Sequence, residues 1–138
     1  MIQEDIKKLI PQREPIIMVD QLVSVKEDRI VTRFTVPDQN LFLYERREMA
    51  ETGLIEHIAQ SASAWAGYKA LSSGASEAPI GYIGEIKNFR CYRRPVVGEQ
   101  LQTTITFGAE MNGITILTGE SRVSDELIAE TRMKIFVK

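Results

Sequence analysis

TGLIEHIAQSASAWAGYKAL, residues 52–71, is the stretch on which the fold turns. It holds Leu54, Ile55, Ile58, Ala59, Ala62, Ala64, Trp65, Ala66 and Ala70, and no proline. Helix formers dominate, and the apolar positions cover more than one stripe of a 3.6-residue repeat. A helix apolar on most of its faces is one that a protein buries. Thr52 is read as the N-cap, and Ser72-Ser73-Gly74 as the stop.

The segments on either side read as strands. Upstream, residues 3–10 form a short amphipathic helix with Ile6, Leu9 and Ile10 on one face, ended by Pro11. Residues 16–25 and 29–36 form a hairpin around Glu27-Asp28. Downstream, residues 80–93 make one long strand. Residues 101–107 alternate, with Leu101, Thr103, Ile105 and Phe107 facing one way. Asn112-Gly113 is a hairpin turn signal, and residues 114–123 return from it. The last strand points Leu127, Ala129, Thr131, Met133, Ile135 and Val137 to one face, and Glu130, Arg132 and Lys134 to the other. One helix too apolar for solvent, among six antiparallel strands, predicts a sheet wrapped around the helix. This is the α+β hotdog architecture, with residues 1–138 as a single domain.

Composition narrows the function. The 138 residues carry 17 basic and 19 acidic side chains, a formal charge of −2, so no nucleic-acid partner is expected. A chain of this length buries a core without staples. One cysteine, Cys91, excludes an intrachain disulfide and fits a reducing compartment. One Cys and one His do not readily make a zinc site, and neither a metal nor a cofactor is expected. No apolar run reaches the length of a membrane span or of a signal-peptide core before Pro11. A complete, cytoplasmic chain is the expectation.

Glu56 is the residue out of place in that helix, flanked by Leu54, Ile55 and Ile58. Gln60, four residues on, lies on the same face and can hydrogen-bond it. A carboxyl in a low-dielectric pocket holds its proton to higher pH and can serve as a general acid. The alternative places Glu56 on a solvated seam of the helix. His57, the neighbour, points about 100° away, so the two cannot address one substrate atom from one chain. The plainer reading of His57 is a partly exposed or interface residue, and substrate contact is the functional one. Backbone amides around Thr52, Gly53 and Leu54 can polarise a thioester carbonyl at the helix N-terminus; packing alone also explains Gly53. Trp65 and Tyr68 are expected to pack helix on sheet, and Cys91 to be a buried small hydrophobe.

These residues resemble a family, the 3-hydroxyacyl-acyl-carrier-protein dehydratases. Leu9-Ile10-Pro11-Gln12-Arg13-Glu14-Pro15 with Met18-Val19-Asp20 is similar to the family's Leu-Leu-Pro-His-Arg-x-Pro and Leu-Val-Asp. Gly53-Leu54-Ile55-Glu56-His57-Ile58-Ala59-Gln60 is similar to the helix carrying its catalytic Glu and, four residues on, a Gln. Ile83-Gly84, Lys87-Asn88-Phe89 and Arg93-Arg94-Pro95-Val96-Val97-Gly98-Glu99-Gln100-Leu101 resemble its third block. The resemblance implies a dimer with sheets side by side and the active site between protomers. A His from one chain takes the α-proton, a helix Glu from the other protonates the leaving hydroxyl, and a trans-2-enoyl thioester forms on the carrier's phosphopantetheine arm. By position, Glu56 is the acid, Gln60 supports it, and Gly53 lies near the backbone donors; Gly53, Leu54 and His57 are the candidates for substrate contact. Acyl carrier protein is the implied partner, with Arg46, Arg47, Arg93 and Arg94 as docking cations.

One block departs. Where the family has Gly-His-Phe-Pro-x-x-Pro-x-x-Pro-Gly, Leu41 to Glu51 reads LFLYERREMAE, without histidine or proline. Three readings follow: the Glu-bearing half of a heterodimer whose partner hotdog chain supplies His, with a homodimer as the alternative; an acyl thioesterase using the helix carboxylate; or a non-catalytic acyl-binding subunit. In a homodimer Tyr44, Glu45 or Glu48 would have to replace the base, and a solvated charged loop is the plainer account of them.

Overall fold

The computed structural model describes residues 5–40, 42–44, 47–76 and 81–137. Among these, α1 (Ile6–Leu9) precedes strands β1 (Gln21–Val25) and β2 (Arg29–Thr35). The long helix α2 (Glu51–Ser72) follows, then β3 (Gly81–Cys91), β4 (Gln100–Met111), β5 (Ile114–Val123) and β6 (Glu126–Val137). The six strands form one sheet in the order β1-β2-β4-β5-β6-β3, and every pairing is antiparallel. The sheet packs on α2, which is the hotdog arrangement expected.

Burial explains α2. Its 22 residues bury Leu54, Ile58, Ala62 and Ala64 completely, and small residues let the sheet come close. Two clusters divide the core along it. Ile58 and Ala62 pack with Leu22, Ile30, Ile105, Leu117 and Met133. Leu54 packs with Met18, Phe34, Met49, Leu101 and Ile128. At Gly67 a Cβ would overlap the Leu9 carbonyl oxygen, so glycine is what lets α1 rest on the helix. Trp65 stacks on Phe107 of β4 at 4.0 Å between ring centroids, the helix-on-sheet packing expected of it, and Tyr68 lies against the first cluster.

The boundaries differ in instructive ways. The N-cap of α2 is Ala50, not Thr52, with no side-chain cap bond. Asp5 caps α1 by accepting from the Lys7 amide at 3.0 Å; residues 3 and 4 of the expected helix, and residue 80 of the expected third strand, lie outside the described residues. The first strand begins at Gln21, not at residue 16, because the Met18 N–H and C=O bond side chains of α2 instead of a neighbouring strand. The Asn112-Gly113 turn forms with both residues at positive φ (54° and 79°), the pattern of a two-residue hairpin loop. On β6, Ser121 opposes Ala129 and Arg122 opposes Leu127, so Ile128 is the extra residue of a bulge. The alternation therefore shifts: Ile128 is fully buried and Leu127, expected in the core, is half-exposed.

Candidate active site

Glu56 is half-buried on α2, on neither the fully solvated nor the fully enclosed side. Gln60, one turn on, donates from Nε2 to Glu56 Oε2 at 2.6 Å. Gln60 is itself buried. Its Oε1 accepts the Met18 N–H at 2.6 Å, and Nε2 also donates to the Ile16 carbonyl at 2.9 Å. Because a backbone N–H can only donate, the amide orientation is determined by the network. Glu56 Oε2 thus always meets an N–H, and in the acid form the proton belongs on Oε1. The pairing anticipated from the spacing of the two residues is present.

His57 is fully buried, which corrects both the partly exposed or interface reading and the assignment to substrate. Its Nδ1 lies 2.6 Å from the Met18 carbonyl oxygen and its Nε2 2.6 Å from Thr103 Oγ1; Phe34 stacks on the ring. Desolvation pushes its pKa down to about 4, so the imidazole is neutral near pH 7. With both nitrogens engaged inside one chain, it is not available to a substrate. Part of a sequence signal existed: alternation puts the polar Thr103 on a core face, and a lone histidine on an apolar helix needs a polar partner; that the two meet, with Ser121 opposite Thr103, comes from the fold.

The Leu54 side chain is wholly in the core, which leaves its backbone N–H as the group the sequence reading concerned. At Gly53 a Cβ would stand 2.7 Å from Phe42 Cβ and 2.9 Å from Met49 Cγ, so packing of the preceding loop accounts for the glycine. The Gly53 and Leu54 amides donate to the Ala50 carbonyl at 2.9 and 3.3 Å. A thioester oxygen would have to share them with that carbonyl.

The arginines are largely engaged. Arg93 forks to Glu99 (2.8 and 3.2 Å) and to Glu126 (3.2 and 3.3 Å). These partners raise the Arg93 pKa further and lower that of Glu99. Arg94 lies over the Tyr44 ring at 4.7 Å and pairs with Glu51 (3.4 Å) and Glu48 (3.9 Å). Arg47 is exposed, at a positive φ of 62°. Arg46 and Glu45 lie outside the described residues. Cys91 is half-exposed, not buried; desolvation raises its pKa, and it stays a thiol. Among the described residues no group of His, Cys, Asp and Glu could hold a metal ion, and no helix is long and apolar enough to cross a membrane.

A hotdog fold with a glutamate on its central helix, braced by a glutamine one turn on, defines the class. Residues 4–138 match the family model described as ApeP-like, ApeP dehydratase, and the chain belongs to that family. It is 30% identical over 139 residues to the 3-hydroxyacyl-[acyl-carrier-protein] dehydratase FabZ of Tolumonas auensis, covering 94% of this chain and 90% of that one. The FabZ of Actinobacillus pleuropneumoniae serotype 5b is 29% identical over 132 residues, covering 91% and 84%. The dehydratase heterocomplex ApeI:P from Xenorhabdus doucetiae superposes with a TM-score of 0.91 at 16% identity, over 99% of this chain and 93% of that one.

Proposed function

We propose that this chain is the Glu-bearing half of a composite dehydratase site acting on 3-hydroxyacyl thioesters of acyl carrier protein. A second hotdog chain supplies the histidine. One observation carries the reading: the chain's single histidine is buried with both nitrogens engaged, while Glu56 is accessible and oriented by Gln60. The chain therefore offers an acid and no imidazole base. The FabZ relatives are named for this reaction, and the ApeI:P structure is named as a heterocomplex.

The partner's imidazole removes the α-proton. The electron pair left on the α-carbon forms the new double bond as the C–O bond at the β-carbon breaks. Glu56 gives its Oε1 proton to the departing hydroxyl, which leaves as water. The products are a trans-2-enoyl thioester, an ionised Glu56 and a protonated partner imidazole; one proton returned from the imidazole to Glu56 resets the pair.

The partner edge is read as β3. It is the longer outer strand, eleven residues against five for β1, and exposes Ile83 and Ile86. A protein that leaves such an edge open has ordinarily covered it with another chain. The carrier-protein surface is read as lying near Arg47, because Arg93 and Arg94 are balanced by their own carboxylates.

The test is turnover of 3-hydroxydecanoyl-acyl carrier protein, with mass detection of enoyl thioester and of free carrier thiol. The chain alone is expected to yield neither, and the chain with a His-bearing hotdog partner to yield enoyl product. Glu56→Gln in that complex is expected to lower turnover by about 10²–10⁴-fold, the usual worth of a positioned acid, with the complex intact. Retained turnover would remove Glu56 from the chemistry, and free thiol in place of enoyl product would make the protein a thioesterase.

A further inference from the structure

We infer that His57 is a positioning residue for Glu56, acting through the Met18 backbone and Gln60; this rests on the acid role proposed for Glu56. The two side chains His57 and Gln60, three residues apart on α2, grip opposite ends of Met18. Gln60 Oε1 takes its N–H at 2.6 Å and His57 Nδ1 meets its C=O at 2.6 Å. Gln60 then spends one N–H on Ile16 O and the other on Glu56 Oε2. The place of the Met18 backbone, held at its C=O by His57, decides where its N–H and hence the Gln60 amide lie, and the amide decides which Glu56 oxygen is free to carry the proton.

Donor directions run one way through this chain of bonds. The Met18 oxygen only accepts, so Nδ1 carries the hydrogen. The neutral ring then presents a lone pair at Nε2, and Thr103 O–H must donate to it at 2.6 Å. Thr103 has one hydrogen, so its oxygen accepts from Ser121 O–H at 2.7 Å. The Met18 carbonyl thereby sets the tautomer of His57, the hydroxyls of β4 and β5 complete its bonding, and His57 ties the Met18 backbone to the sheet. All four members of the core of this relay, Met18, His57, Thr103 and Ser121, are wholly buried, so water does not compete for the bonds. Substrate does not touch His57; its effect reaches the reaction as the orientation of Glu56.

The experiment uses the two-chain complex, 3-hydroxydecanoyl-acyl carrier protein as the probe, and Glu56→Gln as the reference. His57→Ala removes the Nδ1 donor. His57→Asn restores an N–H at a similar distance from the backbone. The expected result is a kcat about 10-fold to 100-fold lower in His57→Ala, the scale of a small misplacement of a catalytic group. KM should stay within about threefold, and His57→Asn should recover kcat to within about threefold of wild type. Thr103→Val, which keeps the volume and deletes only the O–H that orders the ring, carries the test if His57→Ala fails to fold; it too should lower kcat at constant KM. A kcat unchanged in folded His57→Ala or Thr103→Val, an effect confined to KM, or no difference between His57→Asn and His57→Ala overturns the proposal. If Glu56→Gln itself turns over normally, the acid role fails first, so the two failures are separable.

Discussion

At the scale of the residue, His57 makes stability depend on pH. Its pKa in the folded protein is about 4, against an ordinary 6.5, because burial disfavours the imidazolium. As pH falls through 6.5 the unfolded chain takes up a proton that the folded chain refuses. Stability from this residue is therefore complete above about 6.5, is lost as pH falls to about 4, and changes no further below that. The loss amounts to about 3 kcal/mol. Urea denaturation of wild type and His57→Asn at about pH 7 and about pH 4 checks it: the variant should lose about 3 kcal/mol less on acidification. Equal losses would mean that the ring is solvated or charged in the folded state. Carboxylates titrate in the same range, but they are common to both proteins and drop out of the comparison.

At the scale of the element, α2 is held by both apolar and polar contacts. Ser61 O–H donates to the His57 carbonyl at 2.8 Å, leaving its oxygen to accept from Thr32 O–H of β2 at 2.7 Å. The hydroxyl pairs at Thr32–Ser61 and Thr103–Ser121 are enclosed, and such groups are costly when left unmade. At its far end α2 meets α1 through Gly67. Replacing a mid-helix glycine by alanine ordinarily stabilises by about 1 kcal/mol. Here the added methyl would overlap the Leu9 carbonyl, and overpacking of this kind costs about 1–3 kcal/mol or more. Gly67→Ala should thus lower Tm; a rise would mean that α1 does not rest there. Helix and strand identities were readable because the apolar spacing of α2 and the alternation of β4 and β6 are long. The bulge at Ile128 was not, because it depends on how β5 and β6 are registered.

At the scale of the whole molecule, the open edge of β3 is where a second hotdog chain is expected. Ile83 and Ile86 are exposed on it, and charges on an edge strand discourage pairing. Ile83→Lys with Ile86→Lys should leave the chain folded by circular dichroism and abolish its co-elution with a His-bearing partner in size-exclusion chromatography. Co-elution of the double variant would place the contact on another surface. The same experiment on the chain alone reports whether β3 also pairs with itself.

By itself the sequence determined the class of fold and singled out Glu56 as the candidate acid. A long apolar helix among alternating strands has few ways to hide its faces, and a glutamate four residues before a glutamine on that helix needs no tertiary information to be noticed. Only the tertiary structure decided what surrounds His57, Leu54 and the arginines. His57 changed from a residue beside the substrate to a buried brace, because its partners Met18 and Thr103 lie far off in the chain and meet it only when the sheet closes on the helix. The ion pairs of Arg93 and Arg94 with Glu99, Glu126, Glu48 and Glu51 came from the tertiary structure for the same reason: a charge shows in the sequence, and its neighbour in space does not.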